Sequence, residues 1–225
     1  QATRSALADE VVPSRPAINF SRRWDAIFVN KAGRSDHTDL QGKSIDENAR
    51  SQGKSPIDAI LDLSLEEHLE TVFEDSITQG DEKAVAAIFR SPHVMLGQSD
   101  AGAHVASANP GFGFATFLLS YWVRQRGIMP MEEAIRKLTF MPASIFGIHD
   151  RGLLRPGMAA DVFVFDPATI DLEKPEQVND LPEGAPRYIQ HARGIRYSIV
   201  NGSVLMDNGS HTGAYPGKVL RSQAV

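Results

Sequence analysis

Val94-Met95-Leu96-Gly97-Gln98-Ser99-Asp100-Ala101-Gly102-Ala103-His104 is the stretch on which the reading of the fold turns. Its apolar start has the pattern of a buried strand, and the pattern predicts one over Val94 to Gly97. The run ends in Ser-Asp, and a glycine-containing turn brings a histidine four residues after Asp100. A buried parallel strand that presents a carboxylate at its carboxyl end is how barrel enzymes place a catalytic acid or base. Asp100 reads equally well as the cap of a turn or helix, a position that Ser and Asp favour.

On the amino-terminal side, Trp24 to Val29 reads as a strand, because aromatic and β-branched residues fill a short apolar run. Lys31 to Lys43 is a polar loop. Ser44-Ile45-Asp46-Glu47 has the form of a capping box. Ser55-Pro56 starts a second helix, with Pro56 where its missing amide costs nothing, and Ile57, Ile60, Leu61 and Leu65 as the apolar face. Glu66 to Phe73 is expected to continue helically. Asp81 to Phe89 is a short helix with Val85, Ile88 and Phe89 inward.

Beyond His104, Phe112 to Arg126 carries Phe114, Phe117, Leu118, Tyr121 and Trp122 at helical spacing, and Gly127 stops it. The stripe Phe114, Phe117 and Tyr121 is expected in the core. Met131 to Leu138 is amphipathic, with Ile135 and Leu138 inward and Glu132, Glu133, Arg136 and Lys137 outward. Pro142 to Phe146 is a short helix ended by Gly147. The character then changes. Val162-Phe163-Val164-Phe165 is apolar throughout, as in a strand covered on both faces. Residues 171–187 read as a surface loop. Ile195 to Val200, Asn201-Gly202 and Ser203 to Met206 form a β-hairpin whose tip suits a primed turn. The order is helix and strand alternating to about residue 148, then a small, mostly β unit.

The chain has 225 residues, 42% hydrophobic and 23% charged, the composition of an ordinary globular protein with room for one or two domains. A net charge of −5 offers no basic face for nucleic acid or an acidic membrane surface. No run approaches the roughly 18 apolar residues of a membrane span, and no signal peptide is recognised. With no cysteine, disulfides, thiolate metal sites and a cysteine nucleophile are excluded. A cytoplasmic location is the default expectation. The chain opens on Gln1 with residues that look mid-protein, so a fragment or processed product is expected.

Together these segments resemble the carboxyl-terminal part of the amidohydrolase superfamily, in its branch of N-acyl-D-amino-acid deacylases. Gly97 to His104, Tyr121 to Gly127, Met131 to Thr139 with Pro142-Ala143, Asp150-Arg151-Gly152 and Arg155 to Pro167 carry the likeness. Val200-Asn201-Gly202 and the closing Thr212 to Arg221 add to it. The likeness implies an α/β fold: the end of a (β/α)8 barrel over residues 1–150 and a small β-sandwich over 151–225. It implies that Asp100 sits at the tip of the last barrel strand, touches a divalent metal, usually zinc, and moves a proton from water to the leaving amine. His104 would contact substrate or support Asp100, although a surface-loop histidine is an equal reading.

The family's His-x-His on the first strand has no counterpart here, since none of the seven histidines is so spaced. A metal takes at least three protein ligands, and only Asp100 can be nominated. The chain alone is therefore expected to be inactive, with the missing half of the barrel as its partner. A small-molecule amide is the expected substrate. The alternatives are a non-catalytic scaffold fragment or partner subunit, and a cyclic-amide hydrolase. Ser99 reads as structural, since no Gly-x-Ser-x-Gly elbow is present. His37, in Ser35-Asp36-His37-Thr38-Asp39, has the look of a metal cluster but reads better as solvated loop. Gly111-Phe112-Gly113 reads as a helix lead-in.

Overall fold

A computed structural model describes residues 3–6, 23–75, 81–97, 99, 101 and 110–221. The chain forms two compact units, Gln1–Glu82 and Lys83–Val225.

In the first unit, strand β1 (Ile27–Lys31) pairs antiparallel with β2 (Val72–Asp75), and helices α1 (Ile45–Gln52) and α2 (Pro56–Glu66) lie between them in sequence. The capping box forms as expected. Ser44 Oγ accepts from the Glu47 amide at 3.1 Å, and Glu47 Oε2 accepts from the Ser44 amide at 2.8 Å. Ser55 caps α2 by accepting from the Asp58 amide, with Pro56 in the first turn. Ile27, Val29, Ile45 and Leu63 make the core, with Trp24, Leu40, Ile60 and Phe73 packed on it.

The second unit opens with α3 (Glu82–Arg90). A 3-10 turn over Pro110–Gly113 leads into α4 (Phe114–Phe117), which widens into a π-helix over Leu118–Gln125. Gly127, at φ +60°, ends it in a conformation that glycine adopts without steric cost. Helices α5 (Met131–Leu138) and α6 (Phe140–Ile145) follow. Strand β3 (Val162–Phe165) forms one edge of a four-stranded antiparallel sheet with β8 (Ile195–Val200), β9 (Ser203–Asp207) and β10 (Ser210–His211). At the β8–β9 tip, Asn201 (φ +48°) and Gly202 (φ +81°) make the expected primed turn. Leu118, Leu119, Trp122, Ala134 and Ile170 belong to the core, and Phe89 meets Trp122 edge-on at 5.4 Å.

Several expectations are corrected. Val94 to Gly97 is not a strand of any ladder among the described residues. Glu66 to Phe73 does not stay helical: His68 (φ +53°) and Leu69 (φ +65°) turn the chain, and Val72-Phe73 enter β2. The first strand starts at Ile27 rather than Trp24. On α2 the buried face is Ala59 and Leu63, and Leu65 is 61% exposed. On α3 it is Ala86 with Val85 and Phe89, and Ile88 is exposed.

Lys137 is not outward but 3% exposed, three residues beyond the fully buried Ala134 on the same helical face. Phe114 and Phe117 are exposed rather than core, with Phe117 stacked on Tyr121 at 5.0 Å. Strand β3 is not covered on both faces, since Phe163 and Val164 point to opposite faces and both are exposed. Residues 171–187 include β4 (Asp171–Leu172), β5 (Glu176–Val178) and the start of β6 (Arg187–Ile189). Strand β4 pairs with β7 (Ala192–Arg193), and β5 pairs with β6.

Candidate active site

Asp100 and His104 lie outside the described residues. The segment that leads to them is described. Arg90, at the end of α3, donates from Nε to the Ile128 carbonyl at 2.9 Å. The ammonium of Lys137, from α5, donates to the carbonyls of Ser91 at 2.6 Å and Val94 at 2.7 Å. Leu96 packs on the core of the second unit. Ser99 Oγ accepts from the Ala101 amide at 3.3 Å, a local turn contact of the kind expected of a structural serine.

Two further polar centres were not visible in the sequence. In the first unit the side chain of Glu67 is fully buried and accepts from His37 Nδ1 at 2.8 Å, the Gly33 amide at 2.7 Å and Thr71 Oγ1 at 2.5 Å. Burial pushes its carboxyl up, but the bonds from Thr71, Gly33, His37 and the Arg34 amide outweigh that and hold it below the usual glutamate range. His37 is thus tied to a buried carboxylate rather than solvated. Gly33 fits because it has no side chain: a Cβ there would stand 2.6 Å from Glu70 Cβ.

In the second unit Arg151 donates to Asp161 and, at 2.7 Å, to Asn201 Oδ1. Asp161 accepts from the Asn201 amide at 2.7 Å, and Asn201 Nδ2 donates to the Pro216 carbonyl. Burial raises the Asp161 carboxyl, and the Asn201 amide and Arg151 more than reverse it. Arg151 and Asp161 stand on the wall of a mainly apolar cavity of about 830 Å3, lined also by Leu119, Ile135, Phe146 and Phe163. Among the described residues no three His, Asp or Glu side chains gather as ligands would.

The family model for amidohydrolases matches residues 19–206. The chain belongs to the amidohydrolase family. Within that family its similarity runs to the D-aminoacylases. It is 31% identical over 192 residues to the D-aminoacylase of Alcaligenes xylosoxydans xylosoxydans, covering 83% of this chain and 35% of that one. A D-aminoacylase structure solved to study its binuclear metal centre aligns with a TM-score of 0.54 at 28% identity, over 87% of this chain and 37% of that one. The N-acyl-D-glutamate deacylase of Bordetella bronchiseptica, complexed with zinc and a phosphonate mimic of the tetrahedral intermediate, aligns at 0.52 and 26% identity, over 90% and 39%.

This amidohydrolase chain therefore spans about a third of the length of the relatives it matches. Its mixed helix and strand fold is that of part of a metal-dependent hydrolase. No helix among the described residues is long and apolar enough to cross a membrane.

Proposed function

We propose that this chain is the carboxyl-terminal portion of a hydrolase that cleaves non-peptide carbon–nitrogen amide bonds, with N-acyl-D-amino acids as its substrates. The observation that supports this reading most is the amidohydrolase match over residues 19–206, which includes the Gly97-Gln98-Ser99-Asp100 motif. Asp100 acts as general base and then general acid, taking a proton from the attacking water and giving it to the departing nitrogen. His104 contacts the substrate. The chain supplies the last strands and helices of a (β/α)8 barrel over residues 1–150, and 151–225 form a small β-sandwich.

The described residues do not assemble a metal site, so no step is assigned to a metal. Zinc would be held by ligands from the longer protein, with Asp100 the one contribution from this chain. The missing part of the barrel is the implied partner, a small-molecule amide the substrate, and the cytoplasm the compartment.

The test is metal analysis of the complete reading frame, paired with turnover of acyl-D-amino acids by the natural sequence and by Asp100→Asn. Bound zinc, and deacylation that falls at least about 1,000-fold in the variant, are expected. Full turnover by the variant would remove Asp100 from the reaction. A complete protein that turned over hydantoins in place of acyl-D-amino acids would be a cyclic-amide hydrolase. One that bound no metal and turned over neither would be a scaffold.

A further inference from the structure

We propose that Lys137 is the positioning residue for the segment that carries Asp100, an inference that rests on the catalytic role given to that aspartate. Residues 91–97 lead directly to Asp100, and their backbone joins no ladder among the described residues. Lys137 holds this stretch from the side of α5. It enters from α5, is 3% exposed, and reaches two carbonyls three residues apart, Ser91 and Val94, at 2.6 and 2.7 Å. A nitrogen that bridges two carbonyls fixes the direction of the chain between them as well as its distance from the helix.

The anchors on either side make this contact decisive. Arg90 ties the end of α3 to the Ile128 carbonyl, and Leu96 sits against the core. Between these points, among the described residues, the Lys137 clamp ties residues 91–97 to another element by polar bonds. Val94 is six residues from Asp100 in sequence, so the clamp acts on the chain just ahead of the residue given the catalytic role. Displacements of about 1 Å in a reacting group can cost on the order of 100-fold in rate. The helix gains little from burying a lysine for its own sake, because a methionine would fill the same space without a charge to satisfy.

The experiment uses the protein of the complete reading frame with Lys137→Met, Lys137→Arg and Asp100→Asn. It measures kcat and KM on an acyl-D-amino acid, together with hydrogen exchange. Lys137→Met is expected to lower kcat at least about 10-fold with KM within threefold. It should speed exchange of the amides at 91–101 and leave those of 131–138 protected. Lys137→Arg keeps charge and donors and is expected to recover at least a third of kcat, incompletely because a planar head cannot place one nitrogen between both carbonyls.

If the methionine variant does not fold, the arginine variant carries the test alone, through intermediate kcat and exchange at 91–101. Unchanged kcat and exchange in the folded variants would overturn the proposal. So would a loss expressed wholly in KM or in global stability. If Asp100→Asn keeps full turnover, the catalytic reading fails and the positioning role falls with it. Exchange at 91–101 in Lys137→Met would then show separately whether the clamp exists.

Discussion

Glu67 holds a charge without solvent because four donors converge on it, and that arrangement sets how the first unit responds to acid. Its carboxyl is held below the ordinary value of 4.5, so the folded state binds its proton less readily than the unfolded state. The stability this contributes is fully present above that value and is lost as the pH falls through the lower, folded-state pKa. Urea unfolding of the chain from pH 7 downward is therefore expected to show falling stability below about pH 4.5. Glu67→Gln is expected to be less stable by about 2 kcal/mol at neutral pH, since a charged hydrogen-bond acceptor is lost. Its acid dependence should also be shallower. Equal slopes for both proteins would remove Glu67 from the account.

At the scale of elements, glycines divide by what surrounds them. Gly194 lies at φ +80° with a Cβ position 2.6 Å from the Ile170 amide nitrogen, and Ile170 is fully buried. Gly202 lies at φ +81° in the hairpin tip, with nothing nearer than 3.9 Å. Gly202→Ala pays only for its left-handed backbone, about 1 kcal/mol. Gly194→Ala adds a backbone collision and is expected to cost about 1–3 kcal/mol more. Paired thermal unfolding curves read the difference.

The same scale shows what could be read in the chain beforehand. The capping box at Ser44, Pro56 at the head of α2 and the Asn201-Gly202 turn are local codes, written within four residues, and each forms as expected. Lys137 meets carbonyls 43 and 46 positions away, and Glu67 meets His37 thirty positions away. Helical periodicity assigns a charged residue to the solvent face, and only the tertiary arrangement supplies a buried partner. Val94 to Gly97 differs from its expected strand for a related reason: an apolar run reports a preference for burial, whereas a ladder depends on neighbours that lie elsewhere in sequence. Asp100 and His104 rest on the motif alone, since both lie outside the described residues.

For the molecule as a whole, the second unit leaves apolar surface uncovered. Strand β3 has no partner on its outer edge among the described residues, Phe163 and Val164 are exposed, and Phe163 also lines the adjoining cavity. An apolar edge of this kind is a template for pairing with another chain. The 225-residue chain is expected to self-associate as its concentration rises. Val164→Lys should keep it monomeric at the same concentration, as read by sedimentation velocity. A monomeric natural sequence at high concentration would show that the edge is protected.

The bond from Asn201 Nδ2 to the Pro216 carbonyl, at 2.6 Å, makes the tail part of the folded body. Trimming the protein at the Thr212-Gly213 bend would strand the amide at the hairpin tip and loosen its grip on Arg151. An insertion or cut between Gly213 and Pro216 would reach the same hairpin tip.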